Sequence, residues 1–230
     1  MLPTYNEAAN IIKVTELILG LPVDVQVVIV DDESPDGTGK LADQLCESHP
    51  GRVHVVHRRG PRGRGLAGVE GFRYCLSLPV DCVIEMDADL SHDPLDIPRL
   101  LAAAEDADMV IGSRYVKGGG ESNRLWYRRV ISRFANGYLR LVLGASIRDC
   151  SSGYRCFRRY VLSSIGLPDI ASSGPSILTE ILWRCCQHGY RIREIPIVFH
   201  EREMGESKLD GKILLRSLVL PLALRFGRKQ

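Results

Sequence analysis

The chain has 230 residues, 45% of them hydrophobic, and its 30 Lys and Arg nearly balance its 28 Asp and Glu. This composition suits one globular domain with a sizeable core, and it excludes a disordered chain and a strongly basic nucleic-acid binder. The seven cysteines show no C-x-x-C spacing, so we expect reduced thiols in a cytosolic protein. No apolar run is long enough for a membrane span, and we expect no signal peptide.

Strands and helices alternate along the first half of the chain. The opening turn at residues 3–7 has so little strand before it that we expect a truncated first strand or an earlier start. The predicted strands are 25–30, 53–56, 82–86 and 108–111, and the predicted helices are 38–46, 66–76 and 95–104. This alternation predicts an α/β fold with a mostly parallel, doubly wound central sheet flanked by helices.

Two carboxylates follow the strand at 82–86. Asp87 and Asp89 are one residue apart at its C-terminal end, where an open α/β sheet presents its ligands. Such a pair suits a hard divalent cation, which would neutralise a departing diphosphate. The alternative for a bare D-x-D is an acidic turn after a buried strand.

The segment 114–140 is strongly basic, with seven Lys and Arg against Glu121 alone. At helical spacing, an apolar arc separates from a basic arc that holds Arg129, Arg133 and Arg140. The apolar arc consists of Trp126, Val130, Phe134, Tyr138 and Leu141. For part of the helix, the pattern predicts that the apolar arc packs in the core and that the basic arc faces solvent. Arg128 and Ser132 are four residues apart and share a third face, and they are the better candidates for phosphate contact.

The C-terminal segment is more apolar than a solvated tail. Residues 213–215 and 218–224 are apolar and are flanked by arginines and Lys229. We divide the chain into a catalytic domain at 1–206 and an amphipathic helix at 207–230. That helix either packs on the domain or lies on a membrane or a membrane-embedded partner.

Several separated motifs together resemble one family. They are residues 2–7, 30–38, 86–94, 112–115, 149–155, and Arg202 with 205–208. In order and spacing they are similar to the polyprenyl-phosphate mannose synthase (dolichyl-phosphate mannosyltransferase) branch of the inverting GT-A glycosyltransferases.

The resemblance implies a nucleotide pocket for GDP. Its residues are Pro3, Tyr5, Glu7, Val30 and Asp32. Asp32 at a strand end suits hydrogen bonds from ribose or base, although Asp31 and Asp32 on their own would also be typical of a strand terminus.

The resemblance also implies a metal and phosphate site. Mg²⁺ or Mn²⁺ and the diphosphate of GDP-mannose would lie among Asp87, Ala88, Asp89 and Ser91, although relatives often carry Gln where this chain has Ser91. The side chains implied to face phosphates are Arg114, Arg128, Ser132, Arg202 and Lys208. Arginine suits this role because its planar fork binds phosphate bidentately.

A polyprenyl monophosphate acceptor is already ionised, so positioning and charge neutralisation can carry an inverting transfer without a strong general base. Asp149 is the candidate for orienting sugar or acceptor; it could equally cap a turn. The implied partners are a nucleotide sugar, a polyprenyl or dolichyl phosphate, and a membrane surface or a small membrane-embedded subunit, with the enzyme peripheral at the cytoplasmic face. No nucleic acid is expected.

Two alternatives stay open: the same fold using UDP-glucose or another nucleotide sugar, and a non-catalytic nucleotide-binding subunit. A nucleotidyltransferase is more distant, because the first turn lacks a Gly-rich signature. The Gly-rich stretch 60–66 is either a donor-side phosphate loop or a flexible basic turn. His92 is expected to have a structural role.

Overall fold

A computed structural model describes residues 1–123, 125–201 and 211–226, with side chains of the last segment described from residue 219 onward. The strands are β1 (Leu2–Thr4), β2 (Val27–Asp31), β3 (Val53–His57), β4 (Cys82–Glu85), β5 (Met109–Ser113), β6 (Gly120–Ser122), β7 (Arg155–Arg158), β8 (Ile192–Pro196) and β9 (Val198–His200). The helices are α1 (Ile11–Leu19), α2 (Thr38–Ser48), α3 (Arg64–Ser77), α4 (Ile97–Ala103), α5 (Trp126–Leu143), α6 (Arg159–Ser164), α7 (Ile177–Gln187) and α8 (Gly211–Phe226).

The central sheet is formed by two groups of strands that meet at Met1. Strands β1, β2 and β3 pair in parallel, and the second group has the order β4-β7-β5-β8. The Met1 amino group donates to Ile84 O over 2.7 Å, and Met86 N donates to Met1 O over 3.2 Å, which is the pattern of a parallel ladder between β1 and β4. A first strand therefore forms, although it has only three residues.

The sheet is mostly parallel, as the sequence predicts, with one reversed strand. β7 runs antiparallel to both of its neighbours, β4 and β5, whereas β8 runs parallel to β5. A small parallel pair, β6 with β9, stands apart from the main sheet. The predicted α/β class and the helix-flanked sheet are confirmed.

Both faces of the sheet are covered. In β2, Val28 and Val30 belong to one apolar core, and Val27 and Ile29 belong to the other, so all five residues of the strand are buried. Helices α3, α5, α6 and α7 contribute to the first core, and α1, α2 and α4 to the second. A strand buried on both faces is expected to be continuously apolar, which is why residues 27–30 show no alternation. All seven cysteines are free thiols, as expected.

Helix α5 corrects the predicted core stripe. The arc through Trp126, Phe134 and Leu141 is exposed, at 76%, 80% and 80% respectively, and Val130 is exposed as well. The helix instead buries a different set near its C-terminal half, namely Asn136, Leu139, Val142 and Leu143. Helical spacing correctly places the apolar residues on one arc, but of the five only Tyr138 packs partly against the core.

Helix α8 packs against α5. The Arg225 guanidinium donates to the carbonyl oxygen of Val142 over 2.6 Å, and Val219, Leu222 and Phe226 are exposed. Its sequence is apolar around most of its circumference, so the predicted amphipathic pattern is weak. Within the described residues, no helix combines the length and apolarity needed to cross a bilayer.

Gly65 sits in the first turn of α3, where the loop at residues 172–173 approaches closely. A Cβ at Gly65 would lie 2.1 Å from Ser172 O and 2.8 Å from the carbonyl carbon of Ser173. We expect Gly65→Ala to lower the free energy of unfolding by about 1–3 kcal/mol, because backbone atoms must move apart. The matched control is Gly137→Ala inside α5, where a Cβ meets nothing within 4 Å. Gly137→Ala should raise the free energy of unfolding by about 0.5–1 kcal/mol. Urea titrations of both variants measure these changes, and equal changes in the two variants would contradict the prediction.

Candidate active site

The carboxyl ends of the parallel strands β1, β2, β4 and β5 meet at one edge of the sheet. They deliver Tyr5, Asp32, Asp87 and Arg114 to that edge. In an open α/β sheet this edge is where ligands bind. The topology therefore brings together residues that are far apart in sequence, as the motif positions predict.

The predicted carboxylate pair lies in a tight turn after β4. Asp89 is nearly buried, and its Oδ1 accepts a hydrogen bond from Ser91 N over 3.0 Å. Leu90, between Asp89 and Ser91, adopts a left-handed backbone conformation with φ of 60°, which is costly for a residue with a bulky side chain. Backbone strain of this kind is common at functional turns, and the hydrogen bond from Ser91 N orients the Asp89 carboxylate.

The residues of this turn fit a divalent cation. Ser91 is buried, and its Oγ has no hydrogen-bond partner among the described residues, so an oxygen donor is left available beside the carboxylates. Within the described part of the chain, no three His, Cys, Asp or Glu side chains converge to hold a metal without further help. Mg²⁺ commonly binds through one or two carboxylates together with substrate phosphates and water. The set Asp87, Asp89 and Ser91 therefore suits a metal that binds with a diphosphate.

Arg64 connects this turn to a buried carboxylate. Its guanidinium donates to Asp87 Oδ1 over 2.9 Å and to Glu85 Oε1 over 3.1 Å. Glu85 is fully buried, and burial raises the pKa of its carboxyl although Arg64 and Arg155 oppose this. Burial alone would lower the pKa of Arg64, but Asp87 and Glu85 outweigh it and raise that pKa, so Arg64 is charged. Gly153 leaves space for this guanidinium, since a Cβ there would lie 2.8 Å from Arg64 Nη2.

A fixed cation beside Asp87 should weaken metal binding in the absence of nucleotide. We expect Arg64→Leu to raise the Mn²⁺ affinity of the free protein at least about 10-fold, because a positive charge a few ångströms from the ion is removed. Electron paramagnetic resonance of free Mn²⁺ measures this without any turnover. Arg62→Leu is the control, because Arg62 lies in the same Gly-rich stretch, 60–66, but donates to Tyr5 OH over 2.7 Å. Unchanged or weaker Mn²⁺ binding by Arg64→Leu would disprove the idea.

The predicted nucleotide pocket is closed on one side by the Gly-rich stretch. Asp32 Oδ2 accepts from Gly63 N over 2.7 Å, and its other oxygen accepts from the Arg58 guanidinium. The Arg62 guanidinium stacks on the Tyr5 ring, 5.0 Å from its centroid. The stretch at 60–66 is thus tied to the site through Gly63 and Arg64, which favours a donor-side loop over a detached basic turn.

Backbone contacts hold the first two turns together. Glu7 N donates to Thr38 Oγ1 over 2.9 Å, and Asn6 N donates to Ser34 Oγ over 3.0 Å. Asn6 and Glu33 both have positive φ, at 61° and 59°. The turn after β1 and the turn after β2 are therefore hydrogen-bonded to each other at the strand ends. Pro3 and Val30 lie in paired positions of β1 and β2, with Val30 buried in the core.

Arg114 and Asp149 form a buried ion pair. Arg114 Nε and backbone N donate to Asp149 Oδ2 over 2.8 and 3.0 Å, and Nη2 donates to Asp149 Oδ1 over 2.7 Å. Burial opposes ionisation of Asp149, but the hydrogen bonds and charge of Arg114 outweigh it and hold the pKa of that carboxyl below its usual value. Because Asp149 is fully buried, it positions Arg114 rather than facing a substrate.

Arg128 and Ser132 share one face of α5, as predicted. Tyr115 OH donates to Ser132 Oγ over 2.8 Å, and Arg128 Nη1 donates to Glu201 Oε1 over 2.6 Å. Glu201 follows His200, whose N donates to Ser91 O over 3.0 Å. The last residue of β9 and the residue that follows it therefore connect the carboxylate turn with α5.

The remaining predicted residues divide into two groups. Ala88 is buried beneath the carboxylate turn, and His92 has the expected structural role: its Nδ1 accepts from Asp87 N, and burial lowers its pKa. Arg202 and Lys208 lie outside the described residues, so their phosphate role stays a prediction. Sequence reasoning missed Glu85 and Arg58 and gave Tyr115 no role, although Tyr115 lies in the motif 112–115. Glu85 carried a signal of its own, as a charge inside an apolar strand.

Comparison with known proteins identifies the family of the chain. The family model described as "Glycosyl transferase family 2" matches residues 1–166. A polyprenol monophosphomannose synthase of Mycolicibacterium smegmatis is 44% identical over 212 residues, which are 92% of this chain and 80% of that protein. An undecaprenyl-phosphate mannosyltransferase of Micrococcus luteus is 42% identical over 219 residues, 95% of this chain and 90% of that protein.

A similar solved structure shows the same fold. The glucosyl-3-phosphoglycerate synthase of Mycobacterium tuberculosis, determined with Mn²⁺, UDP-glucose and phosphoglyceric acid, superposes with a TM-score of 0.70 at 20% identity. The alignment covers 100% of this chain and 79% of that chain. The match over residues 1–166 includes the carboxylate turn, the nucleotide-side turns and the Arg114–Asp149 pair. The chain is therefore a glycosyltransferase, and it belongs to glycosyl transferase family 2.

Proposed function

We propose that the enzyme transfers mannose from GDP-mannose to a polyprenyl or dolichyl-type monophosphate with inversion, giving a β-linked mannosyl phosphate. The observation that carries this proposal is the placement of α5. It carries Arg128 and Ser132, with Ser132 bonded to Tyr115 beside Arg114, and it exposes an apolar arc on the same helix. An acceptor with a phosphate head and a hydrocarbon chain matches that arrangement, and so do the names of the two relatives.

In this proposal the acceptor phosphate supplies the nucleophile. One of its oxygens attacks the anomeric carbon from the face opposite the diphosphate, and the bond from that carbon to the diphosphate oxygen breaks. Arg128, Ser132 and the Tyr115 hydroxyl bind the acceptor phosphate, while Arg114, fixed by Asp149, contributes a preorganised positive charge. Asp87, Asp89 and Ser91 would hold Mg²⁺ or Mn²⁺, and the bound ion would supply positive charge to the leaving diphosphate.

The donor side is assigned to the ends of β1 and β2. Tyr5, Glu7 and Asp32 bind the nucleoside, with Arg202 and Lys208 at its phosphates. In the structure Asp32 accepts from Arg58 and from Gly63 N. Nucleotide binding through Asp32 would therefore require the loop at 58–63 to exchange at least one of these contacts for ribose or base.

The enzyme works at a membrane surface in this proposal. Trp126, Phe134 and Leu141 expose large apolar side chains on α5, and Phe226 does so on the adjoining α8. Exposed apolar side chains on adjoining helices, with basic residues beside them, are typical of interfacial helices. In this proposal the segment 207–230 both packs on the domain and lies at the membrane surface. A membrane-embedded partner subunit would dock on the same exposed side of α5 and α8.

Transfer of radiolabelled sugar tests the proposal. GDP-mannose and UDP-glucose are supplied separately with a short polyprenyl phosphate, with Mg²⁺ or Mn²⁺ and with a chelator as control. Metal-dependent mannosyl lipid from GDP-mannose is the expected product. Transfer from UDP-glucose alone would move the donor assignment to glucose, and no transfer from either would favour a nucleotide-binding role without catalysis.

A further inference from the structure

A basic cleft lies along the C-terminal half of α5 and adjoins the groups assigned to the acceptor, since Arg114 and Tyr115 belong to its lining. It has a volume of about 560 Å³ between α5 and the loop that follows β5, and three of its lining residues are Arg133, Arg140 and Arg148. Among the described residues that line it, none is acidic. Four arginines without an acid in one concave surface form a site for an anion.

Three of these arginines have no carboxylate partner among the described residues. Arg114, the fourth, is neutralised by Asp149 and Glu121. Glu194, which reaches the loop of Arg148, accepts instead from the backbone N of Arg148 and of Asp149 over 2.8 and 2.9 Å. The positive charge of Arg133, Arg140 and Arg148 is thus available to an external ligand.

The surroundings of the cleft limit the chemistry of that ligand. Arg133 and Arg140 each precede an exposed apolar residue, Phe134 and Leu141, on the same helix. Gly137 stands between the two arginines, and a Cβ there would meet nothing within 4 Å, so the floor of the cleft is open. A ligand that fills the cleft and extends over α5 has a phosphate group next to hydrocarbon.

We propose that this cleft binds the phosphodiester headgroup of an anionic membrane phospholipid, while Phe134 and Leu141 contact the adjoining acyl chains. The three arginines lie on the C-terminal side of Arg128 and Ser132, which are assigned to the acceptor; Arg133 directly follows Ser132, and Arg140 lies about two turns beyond it. The cleft orients the domain on the bilayer with the carboxylate turn facing the acceptor lipid. This inference rests on the proposed membrane location, but it does not depend on the donor sugar.

The test measures partitioning of the full chain onto vesicles, with no donor present. Vesicles of phosphatidylcholine are compared with vesicles that also contain phosphatidylglycerol. We expect strong binding only to the anionic vesicles, and Arg133→Gln/Arg140→Gln/Arg148→Gln should weaken it roughly 100-fold, since each basic side chain near an anionic surface contributes several-fold. High salt should reduce the binding of the unmodified protein.

Two controls separate the cleft from general charge and from misfolding. Lys13→Gln/Lys40→Gln/Arg73→Gln removes the same charge from exposed positions on α1, α2 and α3 and should change partitioning by a factor of about two or less. Gly137→Glu places a carboxylate in the open floor and should weaken anionic binding, whereas Gly137→Gln, of similar size, should not. Both variants keep every arginine.

Three results would overturn the inference. The first is equal partitioning of the triple arginine variant and the unmodified protein. The second is equal binding of inorganic phosphate and vesicles, with no effect of Phe134→Ser/Leu141→Ser, which would indicate a soluble-anion site. The third adds a kinetic measurement to the first. If the triple arginine variant binds vesicles normally but has a raised KM for detergent-solubilised polyprenyl phosphate, the cleft belongs to the acceptor. Failure of sugar transfer is a separate result, because vesicle binding is measured without it.

Discussion

Replacing Asp89 by Asn should reduce sugar transfer by at least about 10³-fold. A bound metal contributes several kcal/mol to stabilising the leaving diphosphate, and each 1.4 kcal/mol corresponds to roughly a factor of ten in rate. Asn keeps the shape of the side chain, and its oxygen can still accept from Ser91 N, which donates to Asp89 Oδ1 over 3.0 Å. The turn should therefore stay folded while its charge falls.

The measurement pairs sugar transfer with Mn²⁺-dependent nucleotide binding and a urea titration. Asp93→Asn is the matched control, because Asp93 lies in the same segment but its Oδ1 accepts from Leu95 N over 2.9 Å. Asn caps such a turn equally well, so transfer should stay within a factor of about two. If Asp89→Asn kept near-normal transfer with undiminished Mn²⁺ dependence, Asp89 would not be a metal ligand.

The sequence predicted those parts of the site that depend on residues close to one another in the chain. Asp87 and Asp89 follow a short apolar strand directly, and parallel topology is enough to carry them to the same edge as Asp32. The buried strands were recognisable for the same reason, since β2 is apolar at nearly every position. These features depend on neighbours in sequence and on one topological rule.

The features that sequence missed depend on contacts between distant segments. Arg64 reaches Glu85 across 21 residues, and Arg114 reaches Asp149 across 35, so neither pairing has a local pattern. Asp149 was expected to orient sugar or acceptor; in the fold it is too deeply buried and positions Arg114. The prediction that the apolar arc of α5 is buried was wrong for a different reason. Periodicity shows which residues share a face of a helix, but it does not show whether another element covers that face.

Removing the charge of Asp149 should cost about 3 kcal/mol or more of the free energy of unfolding at pH 7. Asp149→Asn leaves the Arg114 guanidinium in a nearly closed site without its carboxylate, and breaking a buried pair by changing one partner typically costs roughly 3–5 kcal/mol. Asp106→Asn, at an exposed position after α4, is the matched control and should change stability by less than about 0.5 kcal/mol.

The pH dependence distinguishes loss of the ion pair from simple misfit of an amide. The pKa of Asp149 in the folded protein lies below the ordinary value of 3.8, so its stabilisation is complete above about pH 4 and is lost as the pH falls through the folded pKa. Asn does not titrate, so the stability difference between the two proteins should stay constant from pH 7 to about pH 5 and shrink below about pH 4. Urea midpoints at pH 7, about 5 and about 3 measure this difference. A difference that stayed constant down to the lowest pH would mean that Asp149 stabilises the fold by packing, and Arg114 would then need another source for its fixed position.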